Sequence, residues 1–206
     1  MEALLSLSLE EMKAAIEEAY KAGKKIASHA QGTQGIKNAI LAGIDSIEHG
    51  IFLDDETIEL MLEHDVYLVP TLVAPYFIVE YGIEAGIPQY AVDKSKAVMD
   101  AHAESFTKAY KAGVKIAMGT DAGTPFNFHD GAPHELKLMV QAGMSPMDAL
   151  VSSTKAGADL LGILDDYGTL EEGKFADFLV LNENPLDNLD TLFNLHSVYK
   201  LGKKVK

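Results

Sequence analysis

The dipeptide Ala-Gly closes four amphipathic runs in this 206-residue chain: Ala22-Gly23, Ala42-Gly43, Ala112-Gly113 and Ala142-Gly143. Glycine enters the left-handed conformation at no steric cost, so it ends a helix cleanly. A short β-prone run follows each of the first three: Lys25-Ile-Ala-Ser-His29, Ser46-Ile-Glu-His49 and Lys115-Ile-Ala-Met-Gly119. The repeat is closest between Tyr20-Lys-Ala-Gly-Lys-Lys-Ile-Ala27 and Tyr110-Lys-Ala-Gly-Val-Lys-Ile-Ala117. A fourth β-prone run, Val66 to Leu72, follows a helical pattern with Ile58, Met61 and Leu62 on one side. Helices alternating with strands of these lengths imply right-handed βα units around a parallel sheet, an α/β fold.

The first helix is predicted to start at Ser8, where Ser8-Leu-Glu-Glu11 reads as a capping box. Met12, Ala15, Ile16 and Ala19 then form one apolar stripe, and Gly23 stops the helix. A long loop, roughly Val73 to Val92, is expected to carry Tyr76, Phe77, Tyr81 and Pro88 over a substrate pocket. Val98, Met99, His102 and Phe106 make a core-facing stripe. Thr124 to Pro133 reads as a second loop, with helices at His134 to Gln141 and Pro146 to Leu161. In the tail, Gly168 to Leu181 reads as a turn and strand, and Ser197 to Val205 as another strand. Two such strands suggest a small sheet docked beside the βα units, with a boundary between 1–163 and 164–206.

Nearly half the residues are hydrophobic (48%), enough for one domain with a substantial core and a small appendage. The net charge of -14 is spread over helical faces and would repel a phosphate backbone, which argues against nucleic-acid partners. The chain has no cysteine, so disulfides and thiolate metal sites are excluded. No apolar run approaches the roughly 20 residues that span a bilayer, so no membrane partner is expected. The opening Met1 to Leu9 lacks the basic region of a signal peptide. The expected location is cytoplasmic, although a longer parent chain could carry a leader upstream.

His29, His49 and Asp121 each close a strand-like run. Two neutral imidazoles and a carboxylate suit a divalent ion such as zinc. Alternation puts Ala27 with His29, Ile47 with His49, and Gly119 with Asp121, on faces expected to point inward. Ile26, Ile116 and Met118 would then pack on helices. Gln31, directly after the first of these runs, could contact substrate or start a helix. Tyr76 and Tyr81 are candidate pocket walls. His134 could face the pocket or interact with local backbone, and His129 lies in the loop after Asp121. His64, His102 and His196 read as surface or helix-side residues.

Five segments in order resemble the amidohydrolase superfamily, closest to its prolidase-like and imidazolonepropionase-like branch. They are Ser28-His-Ala30, Ile47-Glu-His-Gly50, Gly119-Thr-Asp-Ala-Gly123, His134 to Gly143, and Gly168 to Leu181. The resemblance implies a (β/α)8 barrel. His29 looks like the ligand of its strand 5 and His49 that of strand 6, both on the more exposed of two metals. Asp121 looks like the strand-8 aspartate, a ligand that also takes the proton of the attacking water. The implied reaction is metal-dependent hydrolysis of a carbon–nitrogen bond in a dipeptide, an acylated amino acid or a cyclic amide, with one or two zinc ions. The implied pocket residues are Gln31, Tyr76 and His134. The first-strand His-x-His and the fourth-strand lysine of that family are absent. The chain therefore resembles the C-terminal half of a barrel, strands 5–8, with C-terminal strands of a composite β-sandwich. The alternative is a catalytically incomplete half-barrel that works only with a missing N-terminal half or as a homo-oligomer.

Overall fold

The computed structural model describes residues 7–206; most of the opening segment weighed as a signal peptide lies outside them. Helix α1 (Leu9–Lys21) begins at the expected capping box. The Ser8 amide donates to Glu11 Oε2 at 2.8 Å, and the Glu11 amide donates back to Ser8 Oγ at 3.3 Å. Then come β1 (Ala27–Ala30), α2 (Thr33–Ala42), β2 (Ser46–His49), α3 (Asp55–Glu63) and β3 (Tyr67–Val69). Gly43 and Gly113 sit at φ 99° and 92°, so the Ala-Gly pairs do end helices by a left-handed turn.

The three strands pair in parallel in the order β1-β2-β3, with Ala27 beside Ser46 and Ser46 beside Tyr67. The run after Gly113 forms less of a strand than expected. Its pairing is confined to a bridge at Leu68 and Ile116, where the Leu68 amide donates to the Lys115 carbonyl at 2.9 Å and Ala117 donates back at 3.1 Å. The Met118 amide then turns away to the Ser152 carbonyl at 3.0 Å, which ends the ladder. Gly119 lies so close to β3 that a Cβ there would meet Val69 Cγ1 at 2.5 Å. The result is an open parallel arc. Among the described residues no barrel closes.

Ile47, Leu68 and Ile116 point outward into the main core, against Ile36 and Ile40 of α2, Met61 of α3 and other buried helix residues. Ile26 and Met118 also pack there, as the alternation predicts. Ile47 was expected to face inward with His49, and it does not. His49 has φ 74°, so the strand ends its alternation at that residue and the ring turns away from the Ile47 side. The inner face carries Ala27, Ser46, Glu48, Val69 and Ala117. Truncating a fully buried leucine removes its transfer energy and leaves a cavity, so Leu68→Ala should cost about 3 kcal/mol. Thermal unfolding would measure it.

Two helical segments differ from expectation. The predicted loop 73–92 is largely helical, forming α4 (Val73–Tyr81) and the start of α5 (Gln89–Ala112). Its first helix has no local side-chain cap. Both oxygens of Glu135, on α6 (Ala132–Gln141), instead accept from the Leu72 and Val73 amides at 2.9 and 2.7 Å. Burial pushes the Glu135 carboxyl up to about 8, and those two amides oppose the shift. The predicted helix 146–161 is split into α7 (Pro146–Ser152) and α8 (Lys155–Leu160). Ser152 sends its carbonyl to Met118, while the hydroxyls of Ser152, Ser153 and Thr154 bond carbonyls of their own helix. Leu160 then packs under the inner face beside Tyr67, Val69 and Ala117.

The tail forms an antiparallel sheet, β4 (Phe178–Val180), β5 (Ser197–Lys200) and β6 (Lys203–Lys204). The single strand expected over 197–205 folds back at Leu201 and Gly202. Both have positive φ, 51° and 74°, as a two-residue hairpin turn requires. Among the described residues, no helix is long and apolar enough to cross a membrane.

Candidate metal centre

The C-terminal ends of the parallel runs carry His29, His49, Thr71 and Asp121. Three of these have a left-handed backbone: φ is 74° at His49, 52° at Thr71 and 55° at Asp121. Such residues cost about 1–3 kcal/mol each and persist where their surroundings hold them. His49 Nε2 lies 2.8 Å from His29 Nδ1, with the rings edge-on at a centroid distance of 4.5 Å. His49 Nδ1 meets Thr71 Oγ1 at 2.6 Å. With Nδ1 taken by the hydroxyl, Nε2 is the nitrogen presented to His29 and to any ion.

Imidazole nitrogens are suitable zinc ligands. At 2.8 Å His49 Nε2 and His29 Nδ1 stand at direct hydrogen-bond distance, so an ion held by both would have to replace that bond. Burial lowers the His49 pKa and the neighbouring His29 adds to this, while Asp121 opposes it. The ring is therefore biased toward the neutral form that ligates. The expected three-ligand cluster is not assembled: among the described residues no three His, Cys, Asp or Glu side chains gather closely enough to hold a metal. Asp121 follows the one run whose pairing stops early, and it remains exposed.

The sequence reading missed four residues around these. Glu48 stands between Ile47 and His49, on the inner face, and Ser46 Oγ donates to its carboxylate at 2.7 Å. Burial raises its pKa, Ser46 opposes the shift and Asp121 adds to it. Simple alternation from Ile47 could have found it. His102 is 2% exposed, as the core-facing stripe with Phe106 predicts and a surface position does not; its Nε2 donates to the His49 carbonyl at 2.9 Å. Burial lowers its pKa to about 4, so the ring is neutral. Asn127, 1% exposed, donates from Nδ2 to the carbonyls of Thr120 and Asp121 at 2.5 and 3.1 Å. Thr71 is the fourth. No local signal marks Thr71 or Asn127, because each acts across a turn.

The sequence pattern of the amidohydrolase family matches residues 2–205. The chain belongs to the amidohydrolase family. It is 35% identical to ochratoxinase from Aspergillus niger over 207 residues, which is 97% of this chain and 42% of that protein. Its fold superposes on the crystal structure of a Xaa-Pro dipeptidase with bound methionine in the active site. The TM-score is 0.90 at 40% identity, covering 97% of this chain and 49% of that one. The crystal structure of Aspergillus niger ochratoxinase gives a TM-score of 0.87 at 33% identity, covering 97% and 46%. The chain thus spans about half the length of the relatives it matches.

The remaining candidates of this amidohydrolase chain make contacts of their own. Gln31 is exposed and its carbonyl accepts from the Phe52 amide at 3.0 Å. Tyr76 is half-buried on α4, against Phe77. His134 lies edge-on between Phe77 and Phe193 at 5.2 and 4.6 Å. Among the described residues, none of these three bonds to His29, His49 or Asp121. Tyr81 also packs on Phe77, and His129 opens a short 3-10 turn. His64 is exposed at the end of α3, and His196 is also exposed, with Nδ1 near Ser197 Oγ.

Proposed function

We propose that this chain supplies the His29–His49 side of a metal-dependent hydrolase site that cleaves a carbon–nitrogen bond. The substrate class is a dipeptide, an acylated amino acid or a cyclic amide. The observation that carries this reading is the 2.8 Å approach of His49 Nε2 to His29 Nδ1 at the ends of adjacent parallel strands. Membership of the amidohydrolase family and the likeness to a Xaa-Pro dipeptidase and an ochratoxinase support it. In this reading β1 to β3 and the 115–119 run are strands 5–8 of a (β/α)8 barrel. Residues 164–206 then belong to a composite β-sandwich.

His29 Nδ1 and His49 Nε2 would hold a divalent ion such as zinc, with Asp121 approaching from the next run but one. When bound, the ion supplies an activated water and polarises the substrate carbonyl. Asp121 would accept a proton from the attacking water and return it to the departing nitrogen. Thr71 Oγ1 engages His49 Nδ1, which leaves Nε2 as the ring nitrogen turned toward the site. Gln31, Tyr76 and His134 are assigned to the outer pocket.

One observation favours a second reading, that the site is complete only after association. Strand β1 is an edge of the sheet, its Ala27 and His29 are exposed, and the chain spans half of its relatives. An unpaired edge favours docking of a complementary half of the same fold or a second copy. A zinc-loaded sample tested on Xaa-Pro dipeptides and acylated amino acids decides between the two. Turnover by the isolated chain supports a self-sufficient enzyme. Turnover only after addition of an N-terminal half supports the second, and none in either sample refutes both. With two convergent nitrogens and no closed triad, zinc binding by the chain alone should be weak. His49→Ala should weaken it further by about tenfold or more, as calorimetric titration would show.

A further inference from the structure

Each of the three left-handed strand ends is held by a buried polar side chain from later in the chain. The His49 carbonyl accepts from His102 Nε2, on α5, at 2.9 Å. The Leu72 and Val73 amides, directly after Thr71, donate to Glu135, on α6, at 2.9 and 2.7 Å. The Thr120 and Asp121 carbonyls accept from Asn127 Nδ2, in the following loop, at 2.5 and 3.1 Å. His102, Glu135 and Asn127 are 2%, 0% and 1% exposed. All three address the main chain of the turn, and so constrain the backbone angle from which the site side chain departs.

Their cost points the same way. His102 Nδ1 and Asn127 Oδ1 are the buried side-chain polar atoms without a partner among the described residues. An apolar residue at either position would avoid that burden. What a polar residue adds is a directed bond to a carbonyl whose orientation depends on the unusual φ. A relaxed backbone at His49 would swing its carbonyl away from His102 and its ring away from Thr71 and His29.

We propose that His102, Glu135 and Asn127 are positioning residues that hold His49, Thr71 and Asp121 in the left-handed turns from which they form the site. That these turns serve catalysis rests on the proposed function. The bracing does not, and it can be read on the metal-free chain.

His102→Phe keeps a flat ring and removes the donor; His102→Gln keeps an amide donor. Three-bond couplings at His49 report its φ, and imidazole 15N shifts report its tautomer. Ile40→Ala, a core truncation on α2, controls for lost stability. In His102→Phe the couplings should change and the His49 ring should exchange between tautomers, with zinc affinity down about tenfold or more. His102→Gln should recover most of each, and Ile40→Ala should alter none of them. Asn127→Leu is read in the same way at Asp121. Wild-type couplings and ring shifts in His102→Phe, or wild-type couplings at Asp121 in Asn127→Leu should the first variant not fold, would overturn the proposal. A wild-type chain that binds no zinc would count against the metal site alone, since couplings and shifts still decide the bracing.

Discussion

Asp121→Asn should lower amide hydrolysis by the zinc-loaded active sample by about 10²–10⁴-fold, the usual worth of a positioned acid–base group. The substitution changes little else. Asparagine tolerates the left-handed backbone at φ 55°, and the bonds from Asn127 reach the main-chain carbonyls of 120 and 121, which remain. Asparagine can still offer an oxygen but cannot accept and release the proton. Substrate affinity and melting temperature should therefore stay near those of the unaltered protein while kcat falls. Turnover within tenfold of the parent would refute Asp121 as the proton carrier and leave its backbone position unexplained by chemistry.

Glu135→Ala should be the most destabilising single change outside the apolar core, at about 4 kcal/mol. It leaves the Leu72 and Val73 amides buried without an acceptor, at roughly 1–3 kcal/mol each, and adds a cavity. For a chain of this size that corresponds to a melting temperature lower by roughly 8–16 °C. The same group sets a pH dependence. Burial raises the folded-state pKa to about 8 against an ordinary 4.5. Between those values the folded chain keeps a proton that the unfolded chain releases. Its contribution to stability is thus full below about 4.5, declines as pH rises, and is lost above about 8. Urea unfolding across that window should show the decline, and Glu135→Gln should flatten it. A slope unchanged in Glu135→Gln would place the titration elsewhere.

Much of the scaffold was legible because it rests on short-range chemistry. Ser8 and Glu11 cap each other three residues apart, and Gly43 and Gly113 end helices through their own backbone freedom. Strand β2 has the bounds read from Ser46-Ile-Glu-His49. What failed depended on distant partners. Helix α4 looked like a loop because its cap, Glu135, lies more than sixty residues on. The helix at 146–161 looked continuous because only the fold shows Ser152 giving its carbonyl to Met118. The same bond shortened the fourth strand.

For the site, the sequence by itself determined the family, through five motifs in order, and the candidates His29, His49 and Asp121. It also placed His29 and Ala27 on the inner face, since alternation along an undistorted strand is a local rule. Only the tertiary structure decided how these residues meet. It turned His49 out of alternation through a left-handed angle, brought its Nε2 to His29 and its Nδ1 to Thr71, and left Asp121 outside any closed triad. The physical reason is that left-handed turns at non-glycine residues are unfavourable in isolation, and those at His49, Thr71 and Asp121 are each met by a buried polar partner. Those partners, His102, Glu135 and Asn127, reach the turns from elements that nothing in the local sequence connects to them.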